Sequence, residues 1–69
     1  MDRKNQVLDK CQEIVEEGRK PSVGAISQEL SWVEEDVHRL LNILEKEDKV
    51  ETYNREVLGR KRRIVSVYR

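Results

Sequence analysis

After Lys49 the hydrophobic repeat of this 69-residue chain changes, and that change sets the order of its elements. Before it, apolar residues recur at helical spacing; after it, they alternate as in strands. Val7, Leu8, Cys11, Ile14 and Val15 fall on one face of a helix predicted over residues 3–17, which Asp2 can cap and Gly18 can end. Arg19-Lys20-Pro21-Ser22 is a short basic connector, and Ser22 is an N-cap for a second helix over 23–30, weakened by Gly24. Ser31-Trp32-Val33-Glu34 fits the reciprocal capping pattern of a Ser followed three residues later by a Glu. It predicts a third helix over 32–48 with Val37, Leu40, Leu41 and Leu44 on one face. Val50–Tyr53 and Ile64–Tyr68 favour strands, and 54–63 joins them with Gly59 as the turn, giving a hairpin over about 49–68. The order is helix, helix, helix, hairpin, in one α+β domain spanning 1–69.

Size limits what such a domain can do. A chain this short buries only about 60% of its unfolded surface, which leaves no room for a deep, walled pocket. Charged residues make up 41% and aromatics 4%, but the regularly spaced Val, Ile and Leu give the chain a core to fold around. One cysteine and one histidine exclude an internal disulfide and a multi-cysteine zinc site. Cys11, on the apolar stripe, reads as a small buried hydrophobe. No Ser–His–Asp set, phosphate-binding glycine loop or paired carboxylates can be found, so neither an enzyme nor a cofactor is expected. No apolar run approaches the about 18 residues that span a bilayer, and no secretory apolar segment follows Met1. A free thiol without such a signal suits a reducing cytoplasm.

The second and third helices meet through a short turn, the helix-turn-helix arrangement. Ser27 and Ser31 are small where the helices approach, and Ile26, Leu30, Trp32 and Leu40 supply inward apolar surface. At these residues the sequence resembles the winged helix-turn-helix family of DNA-binding domains. Residues 21–30 look like that family's second helix, 36–47 like its recognition helix, and Lys49-Val50 like the start of its wing. The resemblance covers nearly the whole chain and rests on classes of residue. Ser31 stands where a turn glycine is common and Val33 where a polar cap is common, so the expected turn moves one or two residues earlier, with Ser31 as the cap. Glu34-Glu35-Asp36 opens the third helix. These carboxylates complement the helix dipole but repel phosphates, unless one accepts from a cytosine amino group.

Opposite the apolar face of the third helix lie Glu35, Arg39, Asn42 and Lys46, with His38 at the edge; Arg, Asn and Lys are side chains that read purine edges. Ile43 lies off the apolar centre, to be covered by the wing or by a partner subunit. The net charge of zero divides unevenly. Residues 1–48 hold seven basic and twelve acidic residues, or −5; residues 49–69 hold seven basic and two acidic, or +5. Arg60-Lys61-Arg62-Arg63 concentrates that charge in the hairpin. Taken alone, a basic run of this kind is a solvated tip or a charge-protected strand edge. The resemblance implies instead a small, sequence-specific transcriptional regulator of double-stranded DNA. Its third helix would enter the major groove through His38, Arg39, Asn42 and Lys46. The wing would place Arg55, Arg60, Lys61, Arg62 and Arg63 on the backbone or minor groove, with Lys20 and Ser22 at a phosphate. So small a reader implies a homodimer on a two-fold site. The alternative expectation is a winged-helix module for protein–protein interaction, motivated by the acidic start of the third helix and the zero net charge.

Overall fold

The computed structural model describes the backbone of residues 2–68 and the side chains of residues 2–66. Met1 and Arg69, included in the single domain expected above, and the side-chain alternation expected at Val67 and Tyr68 lie outside the described residues. Three helices, α1 (Arg3–Glu16), α2 (Val23–Leu30) and α3 (Glu34–Lys46), precede a two-stranded antiparallel sheet of β1 (Val50–Val57) and β2 (Arg60–Tyr68). This is the α+β arrangement of three helices and a hairpin that the change of repeat predicts.

The helix ends follow from local chemistry. Asp2 accepts from the Lys4 backbone N–H at 2.8 Å, and Ser22 accepts from that of Ala25 at 3.1 Å, so both expected N-caps are formed. All three helices close in the same way. Arg19 N–H donates to Ile14 O and Gly18 N–H to Val15 O; Trp32 pairs with Ser27 and Ser31 with Gln28; Lys49 pairs with Leu44 and Asp48 with Glu45. Each is a Schellman closure around one left-handed residue: Gly18 (φ 80), Ser31 (φ 57) and Asp48 (φ 59). Only the first is a glycine.

This corrects the expected cap of the third helix. Ser31 ends α2 in the left-handed conformation instead of capping α3, which starts at Glu34 with Val33 as its N-cap and no side-chain cap bond. The expected shift of the turn does not occur: Ser31 takes the left-handed position at the end of α2 that a glycine commonly fills. Glu34, Glu35 and Asp36 then offset the missing cap by lying in the first turn, against the positive end of the helix dipole. The third helix also stops at Lys46, because Asp48 has turned left-handed.

The hairpin is longer and tighter than 54–63 as a connecting segment would make it. Pairing runs from Val50 opposite Tyr68 to Val57 opposite Arg60, so most of the expected connector is strand. A bulge falls at Glu51/Thr52, where the Ser66 hydroxyl donates to Glu51 O. Only Leu58 (φ 52) and Gly59 (φ 78) remain as the loop. Two consecutive positive φ values define a type I′ turn, whose right-handed twist matches the strands but which favours Asn-Gly. Leucine in its first position is held in a region that disfavours side chains, at a strain of about 1 kcal/mol. The connector before α2 also joins the hairpin: Ser22 bridges Ile64, and Val65 N–H donates to Pro21 O. Its four-residue sequence is too short to have shown that pairing.

Val7, Cys11 and Ile14 of α1, Val23 and Ile26 of α2, Val37, Leu41 and Leu44 of α3, and Val50 and Val65 of the hairpin form one buried cluster. Leu8, Ala25, Leu30, Trp32 and Leu40 pack around it, and Arg3 lies over the Trp32 ring at 5.4 Å. Val15, expected on the buried stripe, is exposed. Steps of about 100° per residue place it about 70° round from the centre of Val7, Cys11 and Ile14, on the flank of that face. Ile43 is exposed too, uncovered by the hairpin.

Cys11 is fully buried, and that burial pushes its thiol up to about 12. The native protein is expected to leave Cys11 unmodified by a disulfide reagent near neutral pH, and the denatured protein to react at once. Rapid labelling of the native state would contradict the packing. Raised in the fold above its ordinary 9.0, this pKa contributes stability that is complete below pH 9. It is lost as pH climbs toward 12, at up to about 1.4 kcal/mol per unit, readable from unfolding midpoints.

Candidate nucleic-acid interface

Directly opposed residues of an antiparallel pair share a face, so the register sorts the hairpin's side chains. Thr52–Val65, Asn54–Arg63 and Glu56–Lys61 form one face; Tyr53–Ile64, Arg55–Arg62 and Val57–Arg60 form the other. The first face meets α3 at its base. Arg63 Nε donates to Thr52 Oγ1 at 3.0 Å, its Nη1 donates to His38 Nδ1 at 3.2 Å, and its Nη2 pairs with Glu45, which also accepts from Thr52 Oγ1. Because a guanidinium only donates, His38 Nδ1 is the acceptor of this bond. Arg63 is half-buried, with all three of its nitrogens engaged, and it ties the hairpin to α3. Arg63→Ala is expected to lower stability by about 1–2 kcal/mol in chemical denaturation. Unlike removal of a free hairpin arginine, it should leave the salt dependence of any polyanion binding unchanged.

The second face differs. Arg55 stands opposite Arg62, and Arg60 lies two residues along β2 on the same side, all three exposed and without an ion pair among the described residues. Like charges set opposite each other oppose strand pairing. The nearest carboxylate on this face of β1 is Glu51, about 13 Å along the strand from Arg55. Tyr53 and Val57 are exposed on either side of Arg55 along β1, a mixture of basic, aromatic and apolar groups.

The helical half spends most of its cations internally. Lys4 pairs with Glu47, Lys10 with Glu13, Arg19 with Glu17 and Glu29, and Arg39 with Glu35 and Asp36. The hydrogen bonds that Lys4, Lys10 and Arg19 donate to Glu47, Glu13 and Glu17 hold them above their ordinary pKa values. These exposed pairs add little stability, but they decide where uncompensated charge lies. Among the described residues, Arg3, Lys20, Lys46, Lys49, Arg55, Arg60, Lys61 and Arg62 enter no ion pair, and of these Arg55, Arg60 and Arg62 share one face of the hairpin.

The residues singled out from the sequence therefore separate into three groups. Arg55, Arg60 and Arg62 come together on one face of the hairpin, with Lys61 on the other, opposite Glu56. Asn42 and Lys46 are exposed on the outer face of α3, with Arg39 beside them but engaged by two carboxylates. His38 turns from that face toward Arg63. Between the two lies an open groove of about 840 Å³, bounded by the amino half of α2, by Glu34 and His38 of α3, and by residues 60–63. Ser22 lines it, with its hydroxyl capping α2, while Lys20 is exposed on the connector outside it. Arg19 and Gln28, not singled out from sequence, also line the groove. Leu58, likewise passed over, is 99% exposed at the hairpin tip; its signal was a leucine immediately before the turn glycine. No helix among the described residues is long and apolar enough to cross a membrane. No protein-family model, curated protein or solved structure significantly matches this chain.

Proposed function

We propose that this chain is a winged-helix module that binds double-stranded DNA, with the hairpin as a wing carrying most of the affinity. The observation behind this reading is the opposed Arg55–Arg62 pair with Arg60 beside it, free of carboxylate partners. Like charges set opposite each other oppose strand pairing, whereas a phosphate backbone relieves their repulsion and releases counterions. Asn42 and Lys46 on the outer face of α3 add contacts suited to base edges and phosphates. The carboxylates at the start of α3 weaken that helix's own attraction to DNA, so it orients and reads more than it holds. In this reading the protein is a cytoplasmic, sequence-specific transcriptional regulator, and a homodimer on a two-fold site supplies the affinity that one small domain lacks.

Fluorescence anisotropy with a mixed-sequence duplex tests the reading. Binding should weaken with salt at a log–log slope of about −4, as for four phosphate contacts. Absence of binding, or binding indifferent to salt, would reject it. One observation favours a second reading, a protein-binding module: Val33, the N-cap residue beside the acidic first turn of α3, is 63% exposed, and Ile43, toward the other end of that helix, is 44% exposed. A stoichiometric protein partner retained after nuclease treatment, with no duplex binding, would select it.

A further inference from the structure

The hairpin ends on the residue that the fold uses least. Leu58 is 99% exposed, touches nothing that would hold it, and occupies a left-handed position that asparagine or glycine would fill without strain. Polar replacements would serve solubility and the turn alike. A side chain that breaks the local turn preference and gains no contact in the free protein points to a role outside it. Its surroundings give the chemistry of that role. Gly59 completes the loop with no side chain and open space around its Cα, so the tip is a single side chain wide. Arg60 and Val57 flank the tip as an opposed pair, with Arg55 and Arg62 next along the same face.

We propose that Leu58 is an apolar wedge that enters the minor groove of duplex DNA and parts a base step, with the three arginines on the flanking phosphates. This rests on the DNA-binding reading above and adds to it the groove, the residue and a deformation of the ligand. A minor groove about 6 Å wide excludes a whole two-stranded ribbon but admits a one-side-chain tip. Apolar side chains inserted between base steps kink the duplex, and pyrimidine–purine steps open most easily. The wedge therefore favours TpA and CpA steps. A bilayer is the less suitable target for this tip, because one leucine buries too little apolar area to anchor a protein there.

The test compares the wild-type chain with Leu58→Asn, which removes the apolar group and suits the type I′ turn, so the variant folds at least as well. The probe is a short duplex carrying 2-aminopurine at the adenines of its TpA steps. Wild type should raise the fluorescence several-fold at saturation by unstacking the probe, and L58N should leave it unchanged. L58N should also bind about tenfold more weakly, with the same salt slope, since no charge has been removed. Equal affinities with no fluorescence rise from either protein, while salt-dependent binding persists, would overturn the wedge and leave the DNA reading standing. Loss of all duplex binding by wild type would overturn both. Leu58-dependent uptake onto anionic phosphatidylserine vesicles, without duplex unstacking, would also overturn the wedge.

Discussion

Replacing Arg55, Arg60 and Arg62 together with alanine is expected to lower duplex affinity by about 10²–10³-fold at 0.1 M salt and to reduce the salt slope by about 3. Each phosphate contact contributes about 0.9 to that slope, so three lost contacts remove about 2.7 logarithmic units relative to 1 M salt. The protein itself should not weaken. The three guanidinium groups are exposed and without ion-pair partners among the described residues, and two of them face each other across the strands. Their removal relieves a like-charge pair and should leave the unfolding midpoint the same or slightly higher. This combination of large binding loss and undiminished stability separates a ligand-holding face from a structural one. Anisotropy titrations across a salt series, with circular dichroism melting of the same variant, read both quantities. A variant that binds as wild type does would place the contact elsewhere.

The second large effect concerns the core. Leu41→Ala is expected to destabilise the protein by about 2–5 kcal/mol. Leu41 is fully buried at the centre of α3's inner face, in the cluster that joins all three helices to the hairpin. A domain of 69 residues has a total stability of only about 3–10 kcal/mol. The substitution therefore takes up much or all of it, and a sizeable unfolded fraction should be visible at room temperature. Leu41→Met keeps the volume and should cost less than about 1.5 kcal/mol. Urea unfolding followed by far-ultraviolet circular dichroism distinguishes them. If L41A unfolds with the midpoint of wild type, the core is not where this packing puts it.

The two effects also show which parts of the protein were legible in its sequence. The core was, because burial follows periodicity. Val37, Leu41 and Leu44 recur at helical spacing, and their register decides which face of α3 turns inward. Val15 and Ile43 escaped that logic because they lie on the flanks of their apolar faces, where neighbouring elements decide whether anything covers them. The cap of α3 was misassigned for a related reason. The pattern from Ser31 to Glu34 suits a capping box, but the same serine can close the preceding helix, and the Trp32 N–H bond to Ser27 O belongs to that closure.

In the hairpin, composition showed the excess of charge but not its distribution over two faces. Arg60, Arg62 and Arg63 look alike in a run of four basic residues, yet register puts Arg63 against Glu45 and His38 and leaves Arg60 and Arg62 with Arg55. That sorting depends on the length of the loop. Reading 54–63 as a connector left the register open, whereas the two-residue turn at Leu58-Gly59 fixes every pair between Thr52 and Val65. The same register separates the two carboxylates of the basic half, opposing Glu56 to Lys61 on the other face and leaving Glu51 near the base of the hairpin. The division of a neutral chain into −5 and +5 is thereby sharpened to a surface of a few residues.

If this surface, more than α3, holds DNA, the contact should be visible residue by residue. A mixed-sequence duplex added at low salt to isotopically labelled protein, followed by two-dimensional NMR, reads it. The largest shifts are expected at residues 55–62, with smaller ones at Asn42 and Lys46 and none in α1. A duplex that binds but shifts only the exposed flank of α3, or leaves residues 55–62 unmoved, would contradict the proposal.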